Sequence, residues 1–242
     1  MDDPEFDKAL IGAVFAQAGE KGWPQVSIAD AARKAGLPLV RARERFPGRA
    51  AVLLRFGRMA DAAALADPPA EGTTRDRLFY LLMQRIDAMQ THRAGVLALM
   101  RTLPTDPPTA LLLEMATRRS MRWMLDAAGV ATGGLRGEAR IRGLIAIWLW
   151  AMRAWSRDSS EDMSGTMSAL DDALARAERL ARWMGEGRPP AAAFESPEPP
   201  PAGEEPPVPE SPPPPAPLSS TPVVPPPMPP PPMARPGGPG AL

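Results

Sequence analysis

Proline decides where this chain can fold. Of its 33 prolines, 24 fall in the last 55 residues and 9 in the first 187. Proline fixes φ and removes a backbone donor, so a stretch this dense in it builds neither a helix interior nor a sheet ladder. Residues 188–242 are also too poor in large apolar side chains to offset the entropy of ordering them. Runs such as Pro212-Pro213-Pro214-Pro215 read as polyproline II segments. The expectation is a disordered proline-rich tail over 188–242. Its composition leaves open a spacer, a docking sequence or a plain solubilising extension.

The first 187 residues have the size of one domain, or of a small domain fused to a larger one. The chain has no cysteine and a single histidine, His92. Disulfide frameworks, zinc-thiolate sites, thiol nucleophiles and multi-histidine metal sites therefore lack their raw material. No catalytic residue, metal or cofactor is expected, and His92 reads as a surface or capping residue. The start, Met1-Asp2-Asp3-Pro4-Glu5, is acidic where a secretory signal needs positive charge. The longest strongly apolar stretch, Gly143 to Met152, falls short of the roughly 20 residues that span a bilayer. The expectation is a cytoplasmic protein without a transmembrane segment.

Formal charge sums to zero, 28 basic against 28 acidic side chains, but it is unevenly placed. Between Ala31 and Ala60 stand Arg33, Lys34, Arg41, Arg43, Arg45, Arg49, Arg55 and Arg58 against Glu44 alone. Such a block seeks an anionic surface, nucleic acid or lipid headgroups, or else is a solvated face.

Nothing in residues 1–187 alternates with the period of a strand, whereas apolar residues recur at helical spacing almost throughout. The fold class is all-α. Phe6, Leu10, Ile11, Val14 and Phe15 make one face of a first helix, closed by Gly22-Trp23-Pro24. Ser27 to Asp30 resembles a capping box at the start of a second helix, with Gly36 as its stop. Pro38 suits the first turn of a third helix, which ends before Pro47-Gly48. A fourth runs from Arg49 to about Ala66, and Thr73-Thr74 can cap a long helix through Leu78, Leu82, Arg85, Ile86 and Met89. Helical segments follow over Arg93 to Thr102 and Pro108 to Ala128, then a glycine-rich connector from Gly129 to Gly137. The next helix, from Ile141 to Trp155, is apolar nearly all round and so needs cover on most sides. In the last one Met163, Met167, Leu170, Leu174, Ala177, Ala181 and Met184 form a heptad seam. That seam fits either a core pair or half of a four-helix dimer interface.

Gly22-Trp23, Val26 to Ala32, Ala35-Gly36-Leu37, then Phe46-Pro47-Gly48-Arg49 and Leu53 resemble the TetR/AcrR transcriptional regulators in order and spacing, over residues 6 to 60. The resemblance implies a helix-turn-helix DNA-binding domain at 1–48, a ligand-binding and dimerisation body at 49–187, and the tail beyond. It further implies a homodimer, a double-stranded DNA partner and a small apolar effector. The recognition segment departs from the family: Arg41 stands at its threonine, Arg43 at its phosphate-contacting tyrosine and Arg49 at the lysine after the Phe-Pro corner. On this reading DNA contacts fall on Ser27, Lys34, Leu39, Val40, Arg41, Arg43, Arg45 and Arg49, with Ser27 equally suited to a simple N-cap. Phe79, Leu82, Met83, Ile86, Met100, Leu112, Met115, Met121, Trp123 and Met124 are the candidates for the effector cavity, and each also fits ordinary core packing. Trp148, Met152, Trp155, Met163, Met167, Leu170, Leu174 and Ala181 are the candidates for the dimer contact.

A second resemblance is carried by Phe46-Pro47-Gly48 with Leu53 and Phe56, Arg58-Met59-Ala60-Asp61, the segment Trp155 to Asp162, Thr166 and Leu170-Asp171. These are similar to the TetR-like accessory proteins of coenzyme Q biosynthesis. That likeness implies isoprenoid lipid in the body and a partner hydroxylase, without DNA binding. The alternative function is thus a lipid-presenting accessory protein.

Overall fold

The computed structural model describes residues 1–183 and Gly185. Met184 and the proline-rich segment 188–242 lie outside the described residues. Among those described, every regular element is helical.

Local capping sets most of the boundaries. Asp2 and Glu5 close a reciprocal box at the head of α1 (Asp3–Lys21), with Glu5 N donating to Asp2 Oδ1 at 2.8 Å. Gly22, at a φ of 87°, turns the chain into a short 3-10 segment, Trp23–Gln25. In α2 (Ile28–Lys34), Ser27 Oγ accepts from Asp30 N at 3.3 Å. The reciprocal half of the expected box is absent. Ser27 N donates to Gln17 Oε1 of α1 at 2.7 Å, and Asp30 pairs with Arg33. Gly36 then reverses direction, and α3 (Leu39–Arg45) follows Pro38. Next come α4 (Arg49–Leu65) and α5 (Thr74–Gln90), the latter with a complete Thr73–Asp76 box. The chain continues through α6 (Arg93–Thr102), α7 (Pro107–Ala127), α8 (Gly134–Arg157) and α9 (Ser164–Trp183).

The connector expected over Gly129 to Gly137 is shorter, because α8 already begins at Gly134, whose φ is 67°. Gly137 faces the backbone of Thr132, where a Cβ would collide, so the helix starts tight against its own loop.

The apolar face of α1 is fully buried and packs chiefly on α6. Gly95 makes this possible, because a Cβ there would overlap the carbonyl of Phe15, and Gly19 sits over Ala94. His92 does not behave as a surface or capping residue. It occupies the N-cap position of α6 without a side-chain capping bond, and its ring stacks 5.7 Å from Phe15 and meets Phe56 edge-on at 5.6 Å. Burial first, then the charge of Lys8, lowers its pKa.

In the other helices, α4 lies on α5 and α7, while α8 lies on α7 and α9. Trp155 is fully buried and tied from three sides: its Nε1 donates to Gln90 at 2.8 Å, Arg93 covers its ring, and Arg93 Nη2 donates to its carbonyl at 2.7 Å. Asp158 then accepts from both the backbone and the hydroxyl of Ser160 and of Thr166. These bonds hold its carboxyl well below the usual range and fix the turn from α8 into α9.

The heptad seam belongs to this intrachain packing. Trp148, Met152, Trp155, Leu170 and Leu174 are buried within the chain itself, and Met163, Met167 and Ala181 are half-buried beside them. These five residues are engaged within the chain, where the stripe of α9 packs on α8 and α5. The other face of α8 is open, with Leu149 and Trp150 exposed, and on α9 Leu180 and Trp183 are exposed as well. The cover that the all-round apolar helix calls for is therefore incomplete within one chain.

Candidate nucleic-acid interface and interior polar site

The basic block meets acidic side chains that lie far from it in sequence. Arg41 donates to Asp3 at 2.5 Å and covers the ring of Phe6. Arg45 forks onto Asp7, Nε to Oδ1 at 2.7 Å and Nη2 to Oδ2 at 2.9 Å, and Arg55 Nε reaches the same carboxylate at 2.6 Å. Asp7 has a side-chain exposure of only 2%. Burial alone would raise its pKa, but the hydrogen bonds from Arg45 and Arg55 outweigh it and hold the carboxyl below its ordinary value. Lys34 pairs with Glu20 at 2.9 Å, and Arg49 Nη1 is used on the carbonyls of Trp23 and Pro24. Much of the positive stretch is thus neutralised by α1, which precedes it.

What α3 turns outward is a narrower set. Leu39 and Val40 are exposed at its first turn, 43% and 72%, with Arg43 and Glu44 exposed one turn on. Arg41 and Arg45 sit on the opposite side, facing α1. Ser27 is occupied as the cap of α2. The eight residues expected to contact DNA therefore separate: Leu39, Val40 and Arg43 share an open face, Lys34 is exposed but paired, Arg49 is exposed with Nη1 on two carbonyls, Ser27 caps α2, and Arg41 and Arg45 face α1.

The effector candidates divide similarly. Leu82, Ile86, Met121 and Met124 are fully buried, and Phe79, Met83, Met100 and Leu112 are half-buried. Met115 and Trp123 are exposed at 65% and 58% on α7, so they line no interior cavity within this chain. An open, mainly apolar groove of about 850 Å³ lies elsewhere, between the start of α5, the loop after α7, α8 and the end of α9. Its walls include Leu78, Val130, Leu135, Leu144, Ile147 and Leu180, with Arg75, Arg136 and Arg182 around it.

The body also holds a buried cation that stands outside every set expected from the sequence. Arg85 of α5 is 6% exposed, with its guanidinium 4.7 Å from the ring centre of Trp148 on α8. Its Nε lies 3.3 Å from Asp61 Oδ1 of α4, yet the alignment makes no hydrogen bond. Ser120 of α7 donates to the other Asp61 oxygen at 2.5 Å. Burial lowers the pKa of Arg85, and the charge of Asp61 opposes that. The signal for it in the sequence is an arginine standing in the apolar stripe from Leu78 to Met89.

Among the described residues, no three His, Asp or Glu side chains converge as a metal set, and no helix is long and apolar enough to cross a membrane.

A three-helix α1–α3 unit leading through α4 into a larger helical body is the fold of the TetR-family transcriptional regulators. Solved structures with this fold include a TetR regulator from Nitrosomonas europaea ATCC 19718, at 22% identity and a TM-score of 0.60 over 74% of this chain and 100% of that one. A TetR-family regulator from Streptomyces coelicolor matches at 22% identity and 0.56, over 77% of this chain and 86% of that one. A TetR regulator from Rhodococcus sp. RHA1 matches at 16% identity and 0.52, over 72% and 97%. No protein-family model and no curated protein matches the sequence.

Proposed function

We propose that this chain is a non-enzymatic, ligand-responsive transcriptional regulator, a cytoplasmic repressor that binds double-stranded DNA as a homodimer. The observation that carries the reading is the helix-turn-helix itself, with Leu39, Val40 and Arg43 of α3 presented outward in a fold shared with regulators. Residues 1–48 form the DNA-binding part and 49–187 the ligand-binding and dimerisation part. Apolar side chains on α3 suit thymine methyl groups in a major groove, and Arg43 suits a phosphate or a guanine edge. The second copy is placed on the open faces of α8 and α9, where Leu149, Trp150, Leu180 and Trp183 leave apolar surface without cover.

Fluorescence anisotropy on the chain's own upstream region tests this against a scrambled duplex at two salt concentrations. Tighter, salt-sensitive binding to the upstream region supports the regulator. In Arg43→Ala the slope of log K against log salt should fall by about one. Binding that is weak and equal on both duplexes removes it.

A second reading, a lipid-presenting accessory protein, is favoured by two observations. Arg41, Arg45 and Arg55 are engaged by Asp3 and Asp7, and the body carries an open apolar groove. Purification of the full chain with an isoprenoid lipid bound, together with absent DNA retention, would select it.

A further inference from the structure

Among the described residues, every charged side chain from Asp30 to Arg55 has a partner except Arg43 and Glu44. Asp30 holds Arg33, Glu20 holds Lys34, and Asp3 and Asp7 hold Arg41, Arg45 and Arg55, while Arg49 is used on two carbonyls. Glu44 is exposed and borders a cleft with Arg45, Arg55 and Arg58, yet it bonds to none of them. A free carboxylate on a DNA-facing surface is repelled by phosphate, so it weakens binding unless it meets a donor on the floor of the groove. When ionised it can only accept. In the major groove guanine offers N7 and O6 and thymine offers O4, all acceptors, and adenine sets N7 beside its N6 amine. Cytosine offers the N4 amine alone, and the C5 edge next to that amine is apolar. Val40 stands one turn before Glu44 on the same open side of α3 and is 72% exposed. The two side chains together set an acceptor beside an aliphatic group.

We propose that Glu44 selects cytosine in the major groove, its carboxylate accepting from the N4 amine while Val40 packs on the C5 edge of the same base. This rests on the regulator reading above and deepens it, naming a C·G pair as the feature that α3 reads. The other three bases each place an acceptor where the carboxylate would lie, so the discrimination comes from repulsion as well as from the one bond made. Leu39 and Arg43 lie on the far side of Val40 around the helix, which leaves Leu39 for a thymine methyl and Arg43 for a phosphate or a neighbouring pair. A methyl group on the cytosine C5 adds contact to Val40, so 5-methylcytosine is accepted at this position and favoured over cytosine.

The test incubates the full chain with a randomised duplex library at moderate salt and sequences the retained pool. One position should carry C·G over each other pair by about tenfold. In Glu44→Gln that position should turn to A·T, because an amide donates to adenine N7 and accepts from N6. In Glu44→Ala the preference there should vanish while the rest of the retained sequence is unchanged. On the selected duplex, 5-methylcytosine at that position should bind about twofold more tightly than cytosine, and Val40→Ala should equalise the two. Val40, Arg43 and Glu44 are exposed, so their substitution leaves the fold intact, which circular dichroism checks. A retained pool without a C·G position, a preference that survives Glu44→Ala, or one that is lost in Arg43→Ala instead overturns the role of Glu44 and leaves the regulator standing. A 5-methylcytosine duplex that binds no more tightly than the cytosine one overturns the role of Val40. Retention of no duplex at all removes the regulator, and this reading with it.

Discussion

Two buried charges, Asp7 under α3 and Arg85 in the body, have been given opposite surroundings. Asp7 has two arginines aligned on its carboxylate, and Arg85 has a carboxylate beside it that is not aligned. The first is a finished structural joint between α1, α3 and α4. The second has proximity without alignment, and the difference shows that burial alone does not make an ion pair a structural joint.

Removing each in turn is the most direct way to break this comparison. Asp7→Ala leaves Arg45 and Arg55 without their shared partner and should destabilise the protein by about 3 kcal/mol in urea unfolding. A change under about 1 kcal/mol would show that the joint is ornamental. Arg85→Met should go the other way, neutral or stabilising by about 1 kcal/mol, because a well-packed apolar chain replaces a poorly bonded buried ion. A large loss there would place Arg85 in the same class as Asp7.

Acid sharpens the contrast on a smaller scale. The folded pKa of His92 lies below its ordinary 6.5, so the unfolded chain binds the proton first as pH falls. Stability should therefore be intact above about pH 6.5 and decline below it. The ring is only half-buried and water screens part of its charge, which keeps the loss to at most about 1 kcal/mol. Urea midpoints measured from about pH 8 to 5 should show the decline, and His92→Phe should remove it. The smallest effect is expected from Lys34→Ala, whose partner Glu20 is an exposed residue, and its unfolding midpoint should be indistinguishable from that of the parent.

The helices are legible in the sequence because their ends are written locally. Thr73 with Asp76, Gly22, Gly36 and Pro47-Gly48 each act within a few residues, and the fold follows from joining them. Two kinds of information are not local. Arg41 and Arg45 read as free charge until the chain brings Asp3 and Asp7 against them from 38 residues away. The seam of α9 fits a neighbour in its own chain and a neighbour in another equally well, and only the burial of Leu170 and Leu174 decides between them. The start of α8 is hidden because Gly133-Gly134 looks like a loop, although a glycine with φ of 67° is what turns the chain into that helix. Of the candidate interface, Leu39, Val40 and Arg43 remain outward. Arg85 is marked in the sequence only by its place in the apolar stripe of α5, while its unaligned partner Asp61 comes from another helix and leaves no local sign.

The crossing of α1 on α6 decides how the first helix can move against its neighbour. At Gly95 the two backbones meet with no side chain between them, and Gly19 makes a second close approach one turn away. Surfaces this close do not slide, because advancing either helix by a residue would drive a side chain into the opposing main chain. The crossing is therefore a fulcrum. Against α6 the first helix is left with tilt rather than translation.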